Sequence, residues 1–223
     1  MMPHNQLKGV FVEGGRSRMI IATKALVPDP VYNEKFVREG NDLYRIWEPK
    51  KSKLGAAIMK GISQIGIKPG SKVLYLGCAS GTTASHVSDI VGYEGFVYAL
   101  DFAPRVLRDF MFVAEKRKNM LPILADANKP ETYREYVGDV DVIFQDIAQR
   151  DQVGIFLKNV DFYLKTGGFG LLTVKARSID VTKRPDVIFR EVKDVLDKST
   201  TIVDYRSLEP YEMDHALFVI KKK

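Results

Sequence analysis

From residue 72 to the C-terminus, short apolar runs alternate with stretches of helical periodicity, and this alternation restricts the fold more than any other feature of the chain. Strands are predicted at 72–76, 95–101, 121–125, 140–146 and 168–175, and helices at 82–91, 105–119, 152–164 and 185–196. A strand that feeds a helix and then another strand needs a crossover, and crossovers build a parallel sheet covered on both faces. Two last strands, 201–205 and 216–220, have no helix between them and are expected to pair antiparallel at one edge. The expected architecture is α/β, a mostly parallel seven-stranded sheet with an antiparallel edge strand.

The front of the chain reads differently. Residues 8–13 alternate, Gly14-Gly15 is a turn signal and 18–23 alternate again, which predicts a β-hairpin stopped by Pro28 and Pro30. A further strand is expected at 42–47, ended by Pro49, so a small β-rich N-terminal domain over 1–50 precedes the larger domain at 51–223. Ser52 is a candidate N-cap, and Leu54, Ala57, Ile58, Ile62 and Ile65 recur at helical spacing up to the turn at Pro69-Gly70. Apolar residues make up 45% of the 223, enough for a real core. The single cysteine, Cys78, excludes a disulfide framework and a cysteine-rich metal site, and no metal is expected. No apolar run approaches the roughly 18–20 residues that span a bilayer, and the first residues lack the apolar segment of a secretory signal. A soluble, cytoplasmic protein with no membrane partner is the expectation. The net charge is +6, and residues 1–55 hold ten Lys/Arg against six Asp/Glu, so the front is the more basic part.

In a sheet of this kind ligands bind at the carboxyl ends of the strands. The first strand runs into Gly77-Cys78-Ala79-Ser80-Gly81-Thr82-Thr83, where small residues let a ligand approach the backbone and the following helix offers free N–H groups. The G-x-x-x-G spacing is neither the Walker loop nor G-x-G-x-x-G, and no lysine follows it. Asp101 ends the second predicted strand, 24 residues after Gly77, where a carboxylate can accept from both hydroxyls of a ribose. Asp126 and Asp146 are expected at the ends of the third and fourth. Three carboxylates at consecutive strand ends suggest an adenosine-type ligand with a cationic portion. S-adenosylmethionine fits this better than ATP, which would want a phosphate-gripping lysine after the loop.

The segments YRIWEPKKSKLGAAI (44–58), VLYLGCASGTTASHVSDIVG (73–92), ALDFAPR (99–105), DVIFQDIAQ (141–149), VKARSIDVTK (174–183) and LEPYEMDHALFVI (208–220) resemble fibrillarin in its archaeal form. The glycine/arginine-rich tail of eukaryotic fibrillarins is absent. The resemblance implies a Rossmann-like S-adenosylmethionine-dependent methyltransferase fold and an RNA 2′-O-ribose methyltransferase, the catalytic subunit of a box C/D guide ribonucleoprotein acting on pre-rRNA and tRNA. The partners it implies are a Nop-family scaffold protein, a kink-turn-binding ribosomal-type protein, and the guide RNA with its paired target. It places the cofactor on Thr82 and Thr83, Asp101 and Phe102, Asp126 and Ala127, and Asp146, Ile147, Ala148 and Gln149, beside the loop residues Gly77, Ala79 and Gly81. It implies a catalytic set of Lys53, Asp146, Lys175 and His215. Two positions depart from the family pattern: Asp101 is often glutamate, and an acid often stands where this chain has Gln145.

In that set Lys175 is expected either to stabilise developing negative charge as a cation or to take the hydroxyl proton as an amine, the charged form being preferred because Asp146 stands beside it. Asp146 would position that lysine, while Lys53 and His215 would complete the polar site. His86 is expected to be structural. A methyltransferase acting on a small molecule or protein without guide RNA is the alternative, and a subunit that binds cofactor only to fold is a rival of another class.

Overall fold

The computed structural model describes residues 1–15 and 19–223. Its larger sheet is formed by β6 (Lys72–Leu76), β7 (Phe96–Asp101), β8 (Met120–Leu124), β9 (Val140–Gln145), β10 (Leu164–Lys175), β11 (Thr200–Ser207) and β12 (His215–Lys222), in the order β11-β12-β10-β9-β6-β7-β8. β6 pairs parallel with both β7 and β9, so the strand order reverses beside β6, as in a doubly wound sheet. The antiparallel strand is β12, seated one place in from the edge between β10 and β11.

Side chains alternate between two buried layers. Val73, Tyr75, Phe144, Leu171 and Leu217 face the layer containing α1 (Lys53–Met59), α2 (Thr82–Val91) and α3 (Pro104–Ala114). Leu74, Leu76, Ile143, Leu172, Val174 and Phe218 face α4 (Gln152–Tyr163) and α6 (Pro185–Ser199). The central strands are apolar on both sides because neither face meets water. Among the described residues no helix is long and apolar enough to cross a membrane.

Several predicted boundaries shift, each for a local reason. The helix expected from Ser52 toward residue 67 stops at Met59. Gly61 adopts φ +71°, its N–H bonds to Ile58 C=O, and Ile62 N–H bonds to Ala57 C=O, which is a Schellman stop. Ile62 and Ile65 are buried all the same, so their spacing reported burial rather than helix. The helix expected to reach residue 119 ends at Ala114, where the chain turns back to lock Arg117 and Asn119 onto α2. The third strand ends at Leu124, which leaves Asp126 in the following turn. β10 begins at Leu164 rather than 168, with a bulge before Phe169, and the short helix α5 (Ala176–Ile179) follows it unannounced. α6 extends to Ser199, and β11 and β12 are longer than the apolar runs that revealed them.

The N-terminal sheet is antiparallel, ordered β1-β2-β3-β5-β4 from Met2–Pro3, Val10–Glu13, Ile20–Lys24, Asp42–Trp47 and Phe36–Glu39. β2 and β3 form the predicted hairpin, whose second strand starts at Ile20; Arg18 lies outside the described residues. β1 and β4 escaped the sequence reading because each is too short to show a period. Leu7, Val10, Ile21 and Trp47 join the first apolar layer of the large sheet.

Behind them lies a buried ionic cluster. Arg45 of β5 donates to Glu34 and, at 2.6 Å, to Asp89 of α2, which also accepts from Arg117 at 2.7 Å. His86 stacks on Trp47 with ring centroids 4.6 Å apart. Thr23 Oγ1 gives its hydrogen to Asp89 at 2.8 Å and so accepts from His86 Nδ1–H, also 2.8 Å away. That leaves His86 Nε2 to accept from Tyr32 O–H at 2.6 Å. Burial first, then the Arg45 and Arg117 charges, hold the imidazole neutral with its pKa well below the usual 6.5.

Two outcomes follow from this cluster. Arg45→Ala, which leaves Glu34 and Asp89 buried without their cation, costs about 3–5 kcal/mol in denaturant unfolding, whereas Lys116→Ala at the exposed pair with Asp29 changes little. The second concerns pH. His86 takes a proton when unfolded but not when folded, so stability falls as pH drops below 6.5, by up to about 1.4 kcal/mol per pH unit. His86→Gln flattens that slope in unfolding curves collected from pH 7 to 5; an unchanged slope contradicts the neutral assignment.

Candidate active site

A cleft of about 270 Å³ opens at the carboxyl ends of β6, β7 and β9. Its wall carries Gly77, Ala79, Asp101, Phe102, Ala127 and the run Asp146–Gln149. The loop after β6 is pinned to its neighbour: Gly77 N–H and Cys78 N–H both bond to Leu100 C=O, at 2.8 and 3.1 Å. Gly77 adopts φ +83°, and a Cβ there would strike the carbonyl of Asp146 and reach 2.7 Å from Ile147 Cγ2. Glycine is therefore what lets the two loops lie side by side. α2 starts at Gly81 (φ +95°) with no side-chain cap, so its first-turn N–H groups remain for an anionic ligand group.

The carboxylate of Asp101 accepts from Ala79 N–H and from Ala103 N–H, each at 3.0 Å. One residue thus clasps the glycine loop and the start of the next loop, and each oxygen keeps a lone pair for a ribose hydroxyl. Phe102, 66% exposed, stands at the rim. Carboxylates, a helix N-terminus without a side-chain cap and a cleft walled by small residues fit S-adenosylmethionine. Burial, then the Asp101 charge, pushes the Cys78 thiol far above its usual range, so it is no nucleophile.

Four of the residues expected to hold the cofactor, Gly81, Thr82, Thr83 and Asp126, do not line this cleft. Thr83 is buried and its hydroxyl donates to Ser52 Oγ at 2.9 Å. Ser52 in turn caps α1, accepting from Gly55 N–H at 3.2 Å. Thr83 therefore ties the cofactor helix to the helix that begins with Lys53. Asp126 accepts from Asn128 N–H at 2.9 Å through Oδ1 alone, and its neighbour Ala127 lines the wall.

Lys53 and Asp146 meet beside this wall, and Asp146 also reaches Thr173, near the strand end where Lys175 pairs with His215. Asp146 follows β9, and its N–H bonds to Leu76 C=O at 2.9 Å. Its carboxylate grips Lys53 Nζ at 2.9 and 3.0 Å and accepts from Thr173 Oγ1 at 2.9 Å. The lysine that Asp146 orients is thus Lys53, not Lys175 as the sequence suggested. Lys53 and Asp146 stay 24% and 18% exposed at the side chain, so a substrate can reach the pair. Lys175 lies two residues beyond Thr173 on the same strand and projects from the same face. His215 is its cross-strand partner in β12, which puts the two Cβ atoms about 4.5–5.5 Å apart. Met213 C=O accepts from His215 Nδ1–H at 2.6 Å, which fixes the ring's orientation through that nitrogen. Ser52, Thr173 and Gln152 were missed by sequence reasoning; only Ser52 carried a signal, and that signal was for a cap.

The fibrillarin family model matches residues 1–223. A fibrillarin-like rRNA/tRNA 2′-O-methyltransferase of Pyrococcus horikoshii is 56% identical over 203 residues, which cover 91% of this chain and 89% of the relative. Aeropyrum pernix fibrillarin, solved with natively bound S-adenosyl-L-methionine, superposes with a TM-score of 0.88 at 45% identity, covering 98% of this chain and 96% of that one. The fibrillarin chain of a fibrillarin/Nop5p complex superposes with a TM-score of 0.86 at 38% identity, covering 97% and 99%.

The geometry separates Asp101 from Thr83, two of the expected cofactor residues. Asp101→Ala weakens S-adenosylmethionine binding at least tenfold by calorimetry, since it removes the carboxylate offered to a ribose together with the clasp on the loop. Thr83→Val, whose hydroxyl faces Ser52, leaves the affinity within about threefold. Equal losses in both variants would contradict this placement.

Proposed function

The chain belongs to the fibrillarin family, and from that premise we propose that it transfers the methyl group of S-adenosylmethionine to the 2′-oxygen of a ribose in rRNA or tRNA. It does so as the catalytic subunit of a box C/D guide ribonucleoprotein. A Nop-family scaffold is its protein partner; the guide RNA and a kink-turn-binding ribosomal-type protein complete the particle and choose the nucleotide. The carrying observation is the Lys53–Asp146 pair, set between the cofactor cleft and the strand end that holds Lys175 and His215.

S-adenosylmethionine supplies a methyl group already activated by the positive charge on its sulfur. The protein must bring the hydroxyl oxygen to about 3–3.5 Å from that carbon, in line with the carbon–sulfur bond. Asp101 holds the cofactor's ribose and the N-terminus of α2 its carboxylate, which fixes the donor. On the acceptor side the hydroxyl is a poor nucleophile while it keeps its proton. The Lys175 ammonium donates toward the oxygen and stabilises the charge that grows on it as the bond forms. A neutral His215, its Nδ1–H given to Met213 C=O, offers Nε2 as the acceptor toward which the hydroxyl hydrogen turns. Asp146 keeps Lys53 from swinging into solvent, so that the Lys53 ammonium faces the ribose–phosphate.

The modest net charge limits how many phosphates the free protein can neutralise, so guide pairing and the scaffold supply most of the RNA affinity. In a particle reconstituted with scaffold, kink-turn protein and guide, Asp146→Ala lowers methyl transfer to the guided ribose at least 100-fold, about 3 kcal/mol of barrier, while S-adenosylmethionine binding and the unfolding midpoint persist. A fully active Asp146→Ala particle refutes the assignment. Turnover of a small molecule or protein with no RNA present supports the alternative instead.

A further inference from the structure

We infer that Gln152 is a positioning residue for Lys175, its side-chain amide standing in for a strand that has already turned away. The inference rests on the reading that Lys175 acts on the ribose hydroxyl.

β9 pairs with β10 only as far as Gln145↔Leu172. β10 continues for Thr173, Val174 and Lys175, held there by β12 alone through Thr173↔Leu217, Val174↔Ala216 and Lys175↔His215. The flank that β9 vacates would leave the main chain of Lys175 without partners, at the residue that must hold its side chain still. One side chain fills that flank. Lys175 N–H donates to Gln152 Oε1 at 2.9 Å, and Gln152 Nε2 donates to Lys175 C=O at 3.1 Å. A single primary amide thus makes the donor–acceptor pair that a neighbouring strand would have made.

Gln152 is itself held. It is fully buried, and its own C=O accepts from Gln145 Nε2 at 2.7 Å. Gln145 spends its amide N–H on this bond and leaves Oε1 buried without a partner. The start of α4 does not need the Gln152 side chain, because Asp151 already caps the helix by accepting from Gly154 N–H at 3.0 Å. The amide's two contacts are both to Lys175, so its effect falls on the direction in which that lysine leaves the strand.

The test uses the reconstituted particle, with multiple-turnover methyl transfer to guided RNA measured over a range of S-adenosylmethionine concentrations. Gln152→Met keeps the length of the side chain and removes both hydrogen bonds. It lowers kcat about 10- to 100-fold and leaves the KM for S-adenosylmethionine within about threefold. Gln152→Glu keeps the acceptor for Lys175 N–H and loses the donor while ionised. It is slow at pH 8 and regains rate relative to wild type as pH falls, because the protonated acid again donates to Lys175 C=O. If Gln152→Met does not fold, the Gln152→Glu pH profile decides alone. A kcat within twofold of wild type, a loss confined to KM for the cofactor, or a Gln152→Glu rate ratio that does not move with pH overturns the inference. Lys175→Ala is run alongside: if it matches wild type, the reading beneath the inference fails, whereas Gln152 variants that match wild type while Lys175→Ala is slow sink the inference alone.

Discussion

Everything the site does depends on how two adjacent parallel strands part company. β6 and β9 run side by side through Leu76↔Gln145 and then diverge, and the last bond between them is Asp146 N–H to Leu76 C=O at 2.9 Å. That bond fixes the main chain of Asp146 against the glycine loop on one side. Its carboxylate then reaches the other way, to Lys53 and Thr173. One residue therefore belongs to two structures, the wall of the cleft and the proposed substrate site beside Lys53 and Thr173. Gly77 makes this possible, since any side chain there would push the two loops apart.

The N-terminal sheet has a share in the same arrangement. Buried ion pairs are poor sources of stability, because desolvation offsets most of the attraction. What Arg45, Glu34, Asp89 and Arg117 provide is a fixed seat for β5 on α2. β5 leads through the short 3₁₀ turn Pro49–Lys51 to Ser52 and Lys53, and α2 carries Thr83, which holds Ser52. The lysine that meets Asp146 is thus aimed by a chain of contacts that begins in the small sheet and ends on the cofactor helix.

The larger sheet was legible in the sequence because its strands are buried on both faces and separated by helices of ordinary length. The Asp101, Asp146 and Gly77 positions were legible for a related reason: a strand end followed by a polar or small residue marks the rim of such a sheet. What could not be read was which atoms meet across the fold. Thr83 was expected on the cofactor because the family resemblance placed it there, and only the packing of α1 shows that its hydroxyl meets Ser52. Asp146 was expected to hold Lys175, yet Lys53, 93 residues earlier, reaches it instead. The buried Arg45–Glu34 pair could not be read either, since burial of a charge is visible only once its partner is placed. Gln152 read as nothing more than the first residue of a helix. Its value comes from the place where β9 stops, and strand ends are where periodicity is weakest.

On this reading Asp146 and Lys53 work as one unit joining the cofactor cleft to the proposed ribose site. A double-mutant cycle on single-turnover methyl transfer in the assembled particle tests this directly, with Lys53→Met, Asp146→Asn and the pair combined. The account predicts that each single variant is slow and that the double variant is hardly slower than the worse of the two. Effects that simply multiply, or a Lys53→Met particle as fast as wild type, would contradict it.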